Sequence, residues 1–160
     1  MFTIIPFTIL FSQFGGYLHN EPSNPIPQWF FVMQGFSYFI YRMFDEMDGK
    51  QARKTGNSSP LGLIFDHGVD SLTVSLQGLI MVKSIQLGDG ASSFIPISFV
   101  CMIFYFYMLE EYYLGSLDLG PFNAVSDGSL ILIGFYVLMA IYGNSFCTNE
   151  LFTGYSVTVS

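Results

Sequence analysis

Charge is what this sequence has least of. Five bases and twelve acids make up 11% of its 160 residues, against about 25% in an ordinary soluble domain. The net charge is -7, which excludes broad nucleic-acid binding, because that needs Lys and Arg to neutralise phosphates. Cysteine is scarce too. Cys101 and Cys147 lie in or beside apolar stretches, and two such residues make neither a disulfide framework nor a zinc site. Internal repeats and low-complexity tracts are absent as well. What is abundant is apolar surface, 51% hydrophobic and 18% aromatic, which excludes disorder. These proportions predict a single domain over residues 1–160 that sits in a bilayer as an all-α, polytopic membrane helical bundle.

A hydrocarbon core of about 30 Å takes about 20 mostly apolar residues of helix. Five stretches qualify in kind: a short one at 1–14, then 28–44, 61–87, 94–114 and 130–142, with Phe146 trailing the last. Trp29 is placed like an interfacial anchor. Asn24, Pro25 and Pro27 break helix in the polar loop at 15–27. The first stretch has no basic n-region and no small-residue cleavage site, so a span is expected there rather than a signal peptide. Its abrupt start leads us to expect a chain that lacks its natural N-terminus.

The few bases are grouped. Arg42, Lys50, Arg53 and Lys54 crowd between the second and third stretches, and Lys83 stands alone near the other end of the third. The positive-inside rule places residues 45–60 in the cytoplasm. Alternation then brings 115–128 back to the same side and sends 15–27 and 88–93 to the other.

Ionisable groups in spans are costly and usually functional. Asp45 and Asp48 end the second stretch, and Asp66 and Asp70 begin the third. Spacings of three and four put each pair on one helix face, with Gly62 on the face of Asp66 and Asp70. Four carboxylates from adjoining helix ends raise one another's pKa. Either protons stay on or cations occupy the middle, and all-oxygen ligands favour Mg²⁺, Mn²⁺ or Ca²⁺ over zinc. Four carboxylates suffice for a two-metal site, which clamps a phosphoryl group. The loop between suits phosphate chemistry. Gly49 permits a turn, Lys50, Arg53 and Lys54 bring positive charge, and Ser58 or Ser59 before Pro60 reads as a helix N-cap and first position, an anion site in itself. Asp70 lies deepest and can serve as a general base. His67 is its rival, since histidine ordinarily titrates near neutral pH. Glu110 and Glu111 end the fourth stretch; adjacent residues diverge on a helix, so at most one faces the site, and Glu110 is expected to. His19, Asp118 and Asp127 are expected to do no chemistry.

From Asp45 the sequence runs DEMDGKQARKTGNSSPLGLIFDHGVD. This resembles the CDP-alcohol phosphotransferase signature, D-x-x-D-G-x-x-A-R, eight residues, then G-x-x-x-D-x-x-x-D. All eight fixed positions are present: Asp45, Asp48, Gly49, Ala52, Arg53, Gly62, Asp66 and Asp70. The filling DGKQAR, NSSPLG and FDHG is similar to the eukaryotic choline/ethanolamine phosphotransferases, and LEEYYLGSLDLG from Leu109 matches their next region more loosely. Members of that family are longer, so this chain is expected to be a fragment.

The resemblance implies that Asp45, Asp48 and Asp66 hold Mg²⁺ or Mn²⁺, and that Asp70 holds metal or acts as base. Gly49, Lys50, Ala52, Arg53, Gly62 and Glu110 would bind the nucleotide. It implies transfer of phosphocholine or phosphoethanolamine from CDP-choline or CDP-ethanolamine to diacylglycerol, with release of CMP. The implied setting is an endoplasmic reticulum or Golgi membrane with the site facing the cytoplasm; whether the chain pairs as a homodimer is left open. A same-signature enzyme using inositol or glycerol phosphate, and an inactive fragment, stand as alternatives. An intramembrane prenyltransferase also uses aspartate pairs, but the D-G-x-x-A-R element argues against it. A transporter would spread its acids across the membrane depth, whereas these crowd one end.

The proposed topology has one direct check. Asn57-Ser58-Ser59 matches a glycosylation sequon, and cytoplasmic placement leaves it unmodified. Expression in microsomes should give no glycosidase-sensitive mobility shift at Asn57; a glycan there would invert the topology.

Overall fold

The computed structural model describes residues 2–16, 25–56, 59–87, 90–115 and 126–143, without the side chains of Ala52, Arg53 and Ser126. His19, Asn57, Ser58, Asp118, Phe146 and Cys147 lie outside the described residues. Five helices and no strands occur among them: α1 (Ile4–Gln13), α2 (Gln28–Thr55), α3 (Pro60–Ile85), α4 (Ala91–Leu114) and α5 (Ser126–Tyr142). The expected all-α membrane bundle is what the chain forms.

The helices differ in how they meet a bilayer. Among the described residues α4 alone is both long and apolar enough to cross by itself. α1 and α5 are apolar but shorter, at 10 and 17 residues. α2 is 28 residues long, but its apolar part ends near Phe44 and its charged last turns project beyond. Expected and observed ends differ most here. The helix continues eleven residues past the span, through Gly49, where a turn was expected. A single glycine costs a helix only about 1 kcal/mol, and Lys50, Gln51, Ala52 and Arg53 are good helix formers. The turn comes instead at Gly56, whose φ of 67° is left-handed, a conformation that glycine adopts without penalty.

α3 starts as expected. Ser59 is its N-cap, with Oγ accepting from the Gly62 N–H at 3.0 Å, and Pro60 follows at the first helical position. A Cβ at Gly62 would stand 3.2 Å from that Oγ, so the small residue keeps room for the cap. Gly115 ends α4 in the same left-handed way as Gly56 ends α2, its N–H donating to the Glu111 carbonyl at 2.9 Å.

The tight core lies at the end of the bundle opposite the aspartates. Leu10, Ile26, Phe30, Phe31, Ile80, Tyr136 and Met139 form it, joining α1, α2, α3 and α5. Lys83 is fully buried there, its Nζ donating to the carbonyls of Phe14 and Gly15 and lying over the Phe11 ring, which ties a cation to the C-terminal end of α1. Outward faces are apolar: Ile64, Phe65, Phe99, Phe106, Ile131 and Ile141 are all exposed. Water would penalise such a belt, while lipid solvates it. Trp29 is also exposed, near the start of α2, as an interfacial anchor should be.

Without a hydrophobic drive between helices in lipid, close packing depends on small residues. Gly35 serves α2 and α5 in this way, since a Cβ there would stand 3.3 Å from Tyr136 Cβ. Gly35→Leu should therefore overpack the contact and cost about 1–3 kcal/mol. Gly134→Ala on α5, where a Cβ meets nothing within 4 Å, should be neutral or slightly stabilising. Thermal unfolding in detergent measures both; equal midpoints for Gly35→Leu and the unaltered chain would contradict the packing argument.

Candidate functional site

The turn at Gly56 and the cap at Ser59 fold α3 back beside the charged end of α2. The outcome is a convergence of acids. One carboxylate oxygen each from Asp45, Asp48 and Asp66 lies within 4.8 Å of the other two. Asp45 and Asp66 are half-buried and Asp48 is exposed, so the cluster is open on one side. Asp70 is not one of the three. It stands one turn deeper on α3, where its Oδ1 accepts from the Tyr41 hydroxyl.

Arg42 balances part of this charge, with Nη1 2.6 Å from Asp45 Oδ2. The balance is incomplete. Asp45, one residue past the span, is pushed up to about 7, chiefly by burial and next by the Asp70 carboxylate, against the pull of Arg42. Desolvation and neighbouring like charges both penalise the ionised form. Glu46, on the outer side of α2, shifts the other way: its hydrogen bond with Lys50 lowers it.

Three oxygens this close suit a hard divalent cation, whose oxygen ligands stand about 2.0–2.6 Å from one centre. A cation would also offset the burial and the like charges that raise Asp45. Asp45, Asp48 and Asp66 thus fit a metal, with Asp70 adjacent.

His67 points another way. Its Nε2 lies 3.2 Å from Glu111 Oε2 of α4, both side chains about three-quarters buried. Of the two glutamates, Glu110 is exposed and Glu111 is the one beside His67. Adjacent helical residues diverge by about 100°, and the docking of α4 on α3 selects between them. Lys50 is not brought to the acids either; its Nζ lies 3.1 Å from Glu46 on an exposed face. Gly49 is half-buried within α2, and Gly62 is exposed at the start of α3. The side chains of Ala52 and Arg53 lie outside the described residues.

Two cavities flank α3. The larger, about 420 Å³, is bordered by α2, α3, α4 and α5 and has Tyr41, Arg42 and Asp70 in its wall. The smaller, about 370 Å³, lies between α3 and α4 beside His67. Val74 and Phe104 belong to both walls. Tyr41, Arg42 and Glu111 are the site residues that sequence reasoning missed. Arg42 and Tyr41 lie three and four residues before Asp45, which puts them on its face, and that spacing was the available signal. Glu111 had none beyond its adjacency to Glu110.

Residues 1–148 match the sequence model of the CDP-alcohol phosphatidyltransferase family. A protein of Dictyostelium discoideum described as an uncharacterized CDP-alcohol phosphatidyltransferase class-I family protein is 41% identical over 93% of this chain and 38% of its own length. Choline/ethanolaminephosphotransferase 1 of Arabidopsis thaliana is 32% identical over 94% of this chain and 39% of its own. Choline/ethanolaminephosphotransferase 1 of Saccharomyces cerevisiae is 34% identical over 79% and 32%. The chain therefore spans less than two-fifths of the length of these relatives. With the aspartate cluster of its signature assembled between α2 and α3, the chain belongs to the CDP-alcohol phosphatidyltransferase family.

Proposed function

We propose that this chain carries the catalytic centre of an enzyme that transfers phosphocholine or phosphoethanolamine from CDP-choline or CDP-ethanolamine to diacylglycerol. The observation that carries the reading is the convergence of Asp45 and Asp48 of α2 with Asp66 of α3, beside a largely apolar cavity that reaches Asp70. A polar nucleotide and an apolar acceptor need such a boundary. The names of the Arabidopsis and yeast relatives support the choice of amino alcohol and phospholipid product.

In this account Asp45, Asp48 and Asp66 hold Mg²⁺ or Mn²⁺, and Asp70 extends the set towards a second ion. When bound, the metal offsets negative charge on the diphosphate and on the leaving CMP. Gly49, Ala52, Arg53 and Gly62 form the nucleotide pocket, with Lys50 at its edge. The acceptor enters from the membrane through the larger cavity, so its hydroxyl arrives at Asp70. His67 lies about one turn earlier on α3, in the wall of the smaller cavity.

The acceptor oxygen forms a bond to the phosphorus that bears the amino alcohol. The bond from that phosphorus to the CMP oxygen breaks, and the hydroxyl proton passes to the chain. Asp70 is the better group to take it, because it stands in the wall of the cavity that admits the acceptor, while His67 lines the neighbouring cavity beside Glu111. Most of the acceleration comes from positioning and from fixed charge. The product is membrane-bound phospholipid. The proposed setting is the endoplasmic reticulum or Golgi membrane, with the acids on the cytoplasmic side.

Membranes carrying the whole protein, given diacylglycerol and labelled CDP-choline or CDP-ethanolamine, should make phospholipid with Mg²⁺ or Mn²⁺ and none with chelator. Inositol or glycerol phosphate should not replace diacylglycerol; transfer to either would redirect the reading to another acceptor. Asp→Asn at 45, 48, 66 or 70 should abolish turnover, and normal turnover by Asp48→Asn would remove that residue from the metal set.

The two glutamates separate cleanly. Glu111→Gln should lower turnover by about fivefold, the scale of about 1 kcal/mol for the lost partner that holds His67 between α3 and α4. Glu110→Gln should stay within about twofold. The reverse order would contradict the His67–Glu111 pairing.

A further inference from the structure

The helices pack in two pairs, α2 with α5 and α3 with α4, and the larger cavity lies where the pairs face each other. Polar side chains bridge the pairs. Towards the tight core, Gln77 of α3 joins Gln34 of α2 and Tyr136 of α5. Nearest the acids, the Tyr41 hydroxyl of α2 donates to Asp70 Oδ1 of α3. Both Tyr41 and Asp70 stand in the cavity wall. The Tyr38 ring lies beside Tyr41, with ring centroids 6.1 Å apart. The Tyr38 hydroxyl in turn hydrogen-bonds Ser129 Oγ of α5 at 3.2 Å. A tyrosine ring turns about few bonds, so this bracing fixes where the Tyr41 hydroxyl stands.

Asp70 has two competing destinations. It stands one turn beyond Asp66 on the same face of α3, and its charge acts on both Asp45 and Asp66. A cation held by Asp45, Asp48 and Asp66 would draw a fourth carboxylate towards itself, since hard divalent cations take about six oxygens. The other destination is the cavity, where the acceptor hydroxyl arrives. A carboxylate offers two oxygens. The Tyr41 bond occupies one of them and anchors it to α2, which leaves one for the acceptor. Among the described residues no other hydrogen bond holds Asp70.

We infer that Tyr41 is a positioning residue that keeps Asp70 turned to the larger cavity and apart from the ion at Asp45, Asp48 and Asp66. This deepens the proposed function and rests on it. Tyr41 acts through Asp70. With the hydroxyl in place, Asp70 presents its free oxygen to the acceptor. Without it, nothing on α2 restrains the carboxylate, and the cation draws it away from the cavity. Metal affinity then rises while turnover falls. A loss of packing does not produce that pattern, because it weakens both together.

The test is Tyr41→Phe in the whole protein, which keeps the ring and removes the hydroxyl. Mn²⁺ binding in detergent, followed by electron paramagnetic resonance, should tighten by about fivefold or more, the scale of one hydrogen bond released. In an Asp70→Asn background the same substitution should leave Mn²⁺ binding unchanged. Membranes given diacylglycerol, labelled CDP-choline or CDP-ethanolamine and saturating Mn²⁺ should show kcat lower by at least about tenfold, the cost of a displaced reacting group. The KM for the nucleotide should not change. Dissociation constants and KM do not depend on the folded fraction, and kcat is taken per bound Mn²⁺. Tyr41→Met, whose flexible side chain adapts to the space, serves if the first variant does not fold. Unchanged or weaker Mn²⁺ binding without the hydroxyl, or an unchanged kcat, would overturn the assignment and leave the proposed function standing. Absence of transfer to diacylglycerol by the unaltered protein would overturn both.

Discussion

Mutual repulsion among carboxylates is the constraint around which this chain is organised. Asp45, Asp48 and Asp66 place oxygens within 4.8 Å of one another, with Asp70 close enough to act on Asp45. Such a cluster opposes folding unless something offsets it. Arg42 offsets Asp45 in part, and the Tyr41 hydroxyl donates to Asp70. The remainder would be met by a divalent cation, which these three oxygens fit.

The rest of the bundle serves that arrangement from a distance. The aromatic and aliphatic core around Phe30, Phe31, Ile80 and Tyr136 sits at the opposite end, so strain from the acids is set against packing that does not include them. Gly35 lets α5 close on α2, and the turn at Gly56 returns α3 beside the acidic end of α2. The acid end stays loosely packed, with two cavities beside α3. Under the proposed function, this division puts the packing where lipid surrounds the chain and the open space where nucleotide and lipid would meet.

Much of this was legible in the sequence because the bilayer imposes simple rules. Apolar runs had to be helices. The spacing of Asp45, Asp48, Asp66 and Asp70 placed each pair on one face, and Ser59-Pro60 marked the start of α3. The tail of α2 was misjudged because Gly49 and a run of charge resemble a loop, although one glycine among good helix formers does not end a helix. Tyr41 and Arg42 become site residues only once α3 docks. Which of Glu110 and Glu111 lies beside His67 was not legible, because α4 is apolar on nearly every side and its rotation is set by its contact with α3. The Gln34–Gln77–Tyr136 group joins three helices, and no local pattern announces such a junction.

Binding of Mn²⁺ to the purified protein in detergent, followed by electron paramagnetic resonance, tests the central claim most directly. The account predicts saturable binding that competes with Mg²⁺ and is lost in both Asp48→Asn and Asp66→Asn. Binding that survives both substitutions unchanged, or no binding by the unaltered protein, would contradict it.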